Sequence, residues 1–222
     1  MDDIRLVVGL GNPGSRYERT RHNAGFLVVE RILDRGLGRW SPAGKGDAVW
    51  EEAAIRLGAN EFLLARPLRY MNHSGEPVSD LLRAHGVSPS SMLVVVDDAA
   101  LPPGRLRLRV GGGPGGHNGL RSIRDATGTG DFPRLRIGVG SPAAGIDLAD
   151  FVLEPLSGVA WTDMEAAVVA AAEAVEVTIS RGLAAAMDAF NRDPAPPAGP
   201  RDGEEEPAPR PPPGGPGIPP GP

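Results

Sequence analysis

The chain has 222 residues, 41% of them hydrophobic, no cysteine, and a formal net charge of −5. That length supports one domain with a sizeable core. Without cysteine there are no disulfides, thiolate nucleophiles or Cys-based zinc sites, and the acidic balance excludes a uniformly basic nucleic-acid binder.

Met1, Asp2 and Asp3 form an acidic start without the basic and apolar stretches of a signal peptide. Residues 4–10 then read as a strand. Residues 17–35 contain a helical stretch, with Phe26, Val29, Ile32 and Leu33 at helical spacing. Residues 49–57 and 61–66 read as strands, and 79–85 as a short helix ended by Gly86. Residues 92–96 form a wholly apolar strand, while 105–110 alternate Arg with apolar residues. A helix over 120–126 and a strand over 135–139 follow. A long Ala-rich helix spans 160–181, and another covers 183–191. Its apolar region near residues 166–177 is broken by Glu173 and Glu176, too charged and too short for a membrane span. The expectation is a soluble, cytoplasmic α/β protein: a single α/β/α domain over residues 1–192, with a mixed, largely parallel central sheet flanked by helices. Residues 193–222 hold 13 Pro and 6 Gly beside Glu204, Glu205 and Glu206, so they offer almost no apolar surface to bury. A disordered tail is expected there.

In open α/β sheets, ligands bind beyond the carboxyl ends of the strands. The first strand runs into Gly11, Asn12, Pro13 and Gly14, and the 61–66 strand into Arg69, Tyr70, Met71, Asn72, His73, Ser74 and Gly75. The 92–96 strand ends at Asp97 and Asp98, and the Arg-bearing strand leads into a glycine-rich stretch holding His117 and Asn118. Thr20, Arg21, His22 and Asn23 open the first helix. Each cluster alone is ordinary turn chemistry. Their convergence at one sheet edge marks a site.

Gly9, Gly11 and Gly14 match the G-x-G-x-x-G spacing of dinucleotide folds. That reading fails on context. The helix begins late, and the region about 20 residues on, near Asp34, ends a helix rather than a strand. The glycine-rich stretch lacks the Gly-Lys-Ser/Thr of a P-loop, but such a turn feeding a helix still aims N–H groups at an anion. Between residues 105 and 136, seven arginines stand against Asp125 and Asp131, a local excess of five positive charges. This fits a polyanion contacted at one place. No His, Asp or Glu spacing suggests a metal site, and Gly-x-Ser-x-Gly is absent.

These residues resemble the bacterial-type peptidyl-tRNA hydrolases. The resemblance rests on Gly9 to Gly14 with Tyr17 and Thr20 to Gly25, and on Tyr70, Met71, Asn72, Ser74 and Gly75. It continues through Asp97, Leu101, Pro102 and Gly104, the Gly111 to Leu120 stretch, and Arg134 to Gly140, closing at Phe190 and Asn191. It implies a monomeric enzyme, without cofactor or metal, that hydrolyses the ester joining a peptide to its tRNA. His22 would be the catalytic base and Asp97 its partner. Asn12, Asn72 and Asn118 would hold the peptide, the reacting water and the tRNA end, with Tyr17 and Tyr70 beside them. Arg109 and Arg134 fall where the family grips the tRNA 5′-phosphate. Val96, Ala100, Arg69 and His73 depart from the family's usual residues. His73, His85 and His117 are otherwise structural, with His117 a candidate lining residue. The alternative is a non-catalytic RNA-binding relative of the same fold.

The chemistry suits those side chains. Imidazole, with an ordinary pKa of about 6.5, accepts a proton near neutrality. A carboxylate on one ring nitrogen leaves the other free for water. Neutral, directional amides stabilise a developing oxyanion.

Overall fold

The computed structural model describes residues 3–45 and 48–192. The Pro/Gly-rich segment expected to be disordered lies outside the described residues.

Among the described residues, seven strands form one sheet: β1 (Leu6–Gly9), β2 (Ser41–Lys45), β3 (Ala48–Leu57), β4 (Asn60–Pro67), β5 (Met92–Asp98), β6 (Leu106–Arg109) and β7 (Arg134–Gly138), in the order β2-β3-β4-β1-β5-β7-β6. Strands β4, β1, β5 and β7 run parallel to one another and make the centre. The pairings β2 with β3, β3 with β4 and β6 with β7 are antiparallel. The sheet is therefore mixed as expected, with its parallel part confined to the central four strands.

The α-helices among the described residues are α1 (Ala24–Arg35), α2 (Gly75–His85), α3 (Asn118–Thr127), α4 (Leu148–Leu153), α5 (Gly158–Arg181) and α6 (Leu183–Phe190), and they cover both faces. The central strands are apolar on both sides because both sides are covered. Val7, Leu93, Val95, Leu135 and Ile137 face one core, shared with α1, α5 and α6. Leu6, Val8, Met92, Val94 and Val96 face the other, shared with α2 and α3. Period-two alternation thus divides β1 and β5 between two hydrophobic layers, which gives the α/β/α sandwich.

Two elements are absent from the sequence reading, and a third starts earlier than it expects. Strand β2, with Pro42 and Gly44, is an edge strand, a place in a sheet where Pro is tolerated. Helix α4 is six residues long and starts where the Asp147 carboxylate accepts the Ala149 N–H at 2.7 Å. Helix α2 begins at Gly75, earlier than expected, because Pro77 falls in the first turn, where its missing N–H is not needed. Gly75 lies against α3: a Cβ there would stand 2.0 Å from the Ser122 carbonyl oxygen.

Candidate active site

His22 occupies a 3-10 turn (Arg21–Asn23) that runs directly into α1. Two glycines set where that turn sits. A Cβ on Gly9 would lie 2.3 Å from the Gly25 carbonyl oxygen, and one on Gly25 would lie 2.3 Å from the Val95 carbonyl oxygen. Only glycine at both positions lets the start of α1 press onto the backbone of β1 and β5. This close approach carries His22 to the carboxyl end of β5, where Asp97 projects.

His22 Nδ1 lies 2.8 Å from Asp97 Oδ1, and His117 Nε2 lies 3.1 Å from the same oxygen. The two rings are 5.1 Å apart and tilted by 46°. His117 also caps α3, its Nδ1 accepting the Leu120 N–H at 3.3 Å. A neutral His117 therefore carries its proton on Nε2 and donates it to Asp97. Asp97 likewise draws the His22 proton to Nδ1, leaving His22 Nε2 free to accept another.

The Asp97 side chain is only 4% exposed. Burial alone would raise its pKa, but the hydrogen bonds and charge of His117 and His22 outweigh that and hold the carboxyl well below the usual carboxylate range. The carboxylate is thus ionised throughout the neutral range.

Asn12 is buried and ties three segments together. Its Oδ1 accepts the Met71 N–H at 2.7 Å, next to Asn72. Its own N–H donates to Asn23 Oδ1 at 2.8 Å, and Asn23 Nδ2 donates back to the Asn12 carbonyl at 3.0 Å. Asn23 adjoins His22, so this reciprocal pair joins the β1 loop to the His22 turn. Asn72 is exposed in the 3-10 turn Met71–His73. Asn118 is exposed at the first position of α3, its Oδ1 accepting from Arg121 at 3.2 Å. Tyr17 and Tyr70 meet edge to face with ring centres 6.3 Å apart, Tyr70 being 53% exposed. A cleft of about 450 Å³ adjoins Asn12 and Asn23 and is bordered by Glu30, Arg66 and Trp161.

The two arginines read as phosphate contacts part company. Arg109 is exposed on β6, without an ion pair among the described residues. Its cross-strand neighbour Arg134 is 1% exposed and is not available to a phosphate. The Arg134 guanidinium donates to the carbonyls of Gly112 and Gly113 at 3.0 Å and of Gly130 at 2.7 Å, and lies 4.4 Å over the Phe132 ring. Burial, with the nearby Arg136 charge, pushes its pKa down to about 10, so it remains cationic at neutral pH. Arg136 pairs with Asp98 at 2.7 Å and donates to the Pro114 carbonyl at 3.0 Å. Both arginines brace the glycine-rich loop that delivers His117 and Asn118. Among the four departures from the family pattern, Val96 lies in the core and Arg69 pairs with Glu76.

Sequence reasoning missed how closely His117 and Asn23 join the site. Their available signal was position: each adjoins a residue already singled out. It also missed that His22, Asp97 and His117 bring ligand atoms within 4.8 Å of one another, because the three come from separate segments. Among the described residues, no helix is long and apolar enough to cross a membrane.

A family model described as peptidyl-tRNA hydrolase matches residues 6–198. A peptidyl-tRNA hydrolase of Nocardia farcinica is 48% identical over 183 residues, covering 82% of this chain and 94% of that protein. One of Moorella thermoacetica is 44% identical over 189 residues, covering 85% and 98%. The crystal structure of the Acinetobacter baumannii peptidyl-tRNA hydrolase superposes with a TM-score of 0.78 at 34% identity, covering 85% of this chain and 94% of that one. Motifs, fold and relatives agree, and the chain belongs to the peptidyl-tRNA hydrolase family.

Proposed function

We propose that this protein hydrolyses peptidyl-tRNA by direct attack of water, with His22 as general base and Asp97 as the group that orients and charges it. The observation that carries this reading is the 2.8 Å contact between His22 Nδ1 and Asp97 Oδ1. It leaves Nε2 as the proton acceptor. Water loses a proton to Nε2 as its oxygen attacks the ester carbonyl. The oxyanion collapses, the bond to the tRNA ribose oxygen breaks, and the imidazolium returns its proton to that oxygen. Asp97 stabilises the imidazolium between the two transfers. General-base assistance of this kind is worth about 10²–10⁴-fold.

The amides supply the rest. Asn72 and Asn118, both exposed, present neutral donors to the oxyanion, the water or the peptide backbone. One well-placed donor contributes about 2.7–4 kcal/mol to the transition state. Asn12 has its side-chain Oδ1 committed to the Met71 N–H, so its NH₂ is the group left to face substrate. Tyr17 and Tyr70 offer an aromatic corner to the tRNA end. Arg107 and Arg109 share one face of β6 and make no ion pair among the described residues, which suits a tRNA phosphate. In this reading the enzyme acts in the cytoplasm as a monomer.

The test is cleavage of N-acetyl-aminoacyl-tRNA by the purified chain in H₂¹⁸O. Release of free tRNA, with one ¹⁸O in the carboxyl of the acylated amino acid, is expected. Binding of the tRNA without any cleavage would favour the RNA-binding alternative.

A further inference from the structure

The three groups gathered at the end of β5 suit a second occupant. We propose that His22 Nδ1, Asp97 Oδ1 and His117 Nε2 form an inhibitory zinc(II) site. Two imidazoles and one carboxylate favour zinc over magnesium, which prefers all-oxygen shells. Their ligand atoms lie within 4.8 Å of one another, two of the separations being 2.8 and 3.1 Å. Zinc bonds of about 2.0–2.2 Å place tetrahedral donors roughly 3.3 Å apart. The two hydrogen-bonded separations widen by roughly 0.2–0.8 Å, and the separation between the two ring nitrogens, within 4.8 Å, settles toward the same value. The side chains of His22 and His117 are 13% and 8% exposed, so the three ligand atoms lie just beneath the surface.

Zinc needs no net proton release from neutral rings. The His22 proton moves from Nδ1 to Nε2, and that of His117 from Nε2 to Nδ1. His117 gives up the long hydrogen bond from Leu120 in exchange. The first shift is the inhibitory event, because Nε2 is the atom that must accept the proton of water. The inhibition rests on the reading of His22 as general base, whereas binding of the ion does not.

Equilibrium dialysis of the chelator-treated full chain against zinc chloride reads binding directly. One zinc per chain is expected in the wild type and in a His73→Gln/His85→Gln variant, with loss in His117→Gln. Cobalt(II) in the wild type should show the intense visible absorption of a tetrahedral site. Filling the site should lower turnover about 10²-fold or more, and EDTA should restore it. Stoichiometry unchanged in His117→Gln, a weak octahedral cobalt spectrum, or turnover unchanged or raised by zinc would overturn the proposal. An enzyme inactive without zinc would overturn the inhibitory role and also contradict His22 as base, while dialysis would still decide whether the site binds the ion.

Discussion

Although 75 residues separate them in the chain, His22 Nδ1 and Asp97 Oδ1 stand 2.8 Å apart. The carboxylate is fixed from its other side by His117, whose own tautomer is set by the start of α3. Position and proton of the His22 ring therefore follow from the meeting of β5, α1 and α3.

Asp97→Asn keeps the shape and removes the charge. Turnover should fall roughly 10²–10⁴-fold with KM little changed. Stability should respond with a definite sign. The depressed Asp97 pKa contributes stability that is fully present above the unfolded value of about 3.9 and is lost as pH falls toward the folded value. The wild type should be the more stable at neutral pH, and the gap should narrow below about pH 4, as followed by urea melts across pH.

Arg134 and Arg109 should separate cleanly. Arg134→Met removes the guanidinium donor from the Gly112, Gly113 and Gly130 carbonyls, Gly130 keeping the Gly112 N–H, at about 1.5–3 kcal/mol for each hydrogen bond to a charged group that is lost. Thermal melting should show a large loss. Arg109→Met should leave the melt unchanged, raise KM for the tRNA substrate, and lower the slope of binding against log salt by about one.

Glu30 gives an opposite pH signature. Burial raises its carboxyl pKa, and the Arg66 pair only partly offsets this. The folded protein then holds a proton that the unfolded chain has released. Stability falls as pH rises from the unfolded value of about 4.3 through the folded one. Glu30→Gln should flatten that part of the stability profile.

Gly25→Ala tests the close approach that seats His22. The three atoms nearest the new Cβ would all be backbone, 2.3 Å away at Val95 O, 2.5 Å at Leu10 N and 2.6 Å at Leu10 O. Overpacking of this kind costs about 1–3 kcal/mol, with each kcal/mol lowering Tm by about 2–4 °C in a domain of this size. Turnover should fall with it, since His22 would be lifted away from Asp97.

Much of this was legible in the chain. The apolar run 92–96 and the Arg–apolar alternation beside it marked β5 and β6 because strand faces differ in what they bury. Strand β2 was not legible, since Ser41, Pro42 and Gly44 lack strand character and it is held by pairing with β3. Helix α4 hides in a segment with only Asp147 as a start signal. Convergence of His22, Asp97 and Asn12 could be argued from strand ends. The buried state of Arg134 could not, because an arginine in an alternating strand looks the same whether water or a folded glycine loop covers it.

The most direct measurement is single-turnover cleavage of N-acetyl-aminoacyl-tRNA by wild type and His22→Ala at saturating enzyme, with tRNA binding and far-UV circular dichroism recorded in parallel. The expected result is a rate lower by about 10²–10⁴-fold in a variant that still folds and binds tRNA. A variant cleaving at nearly the wild-type rate would contradict the assignment of His22 as the base.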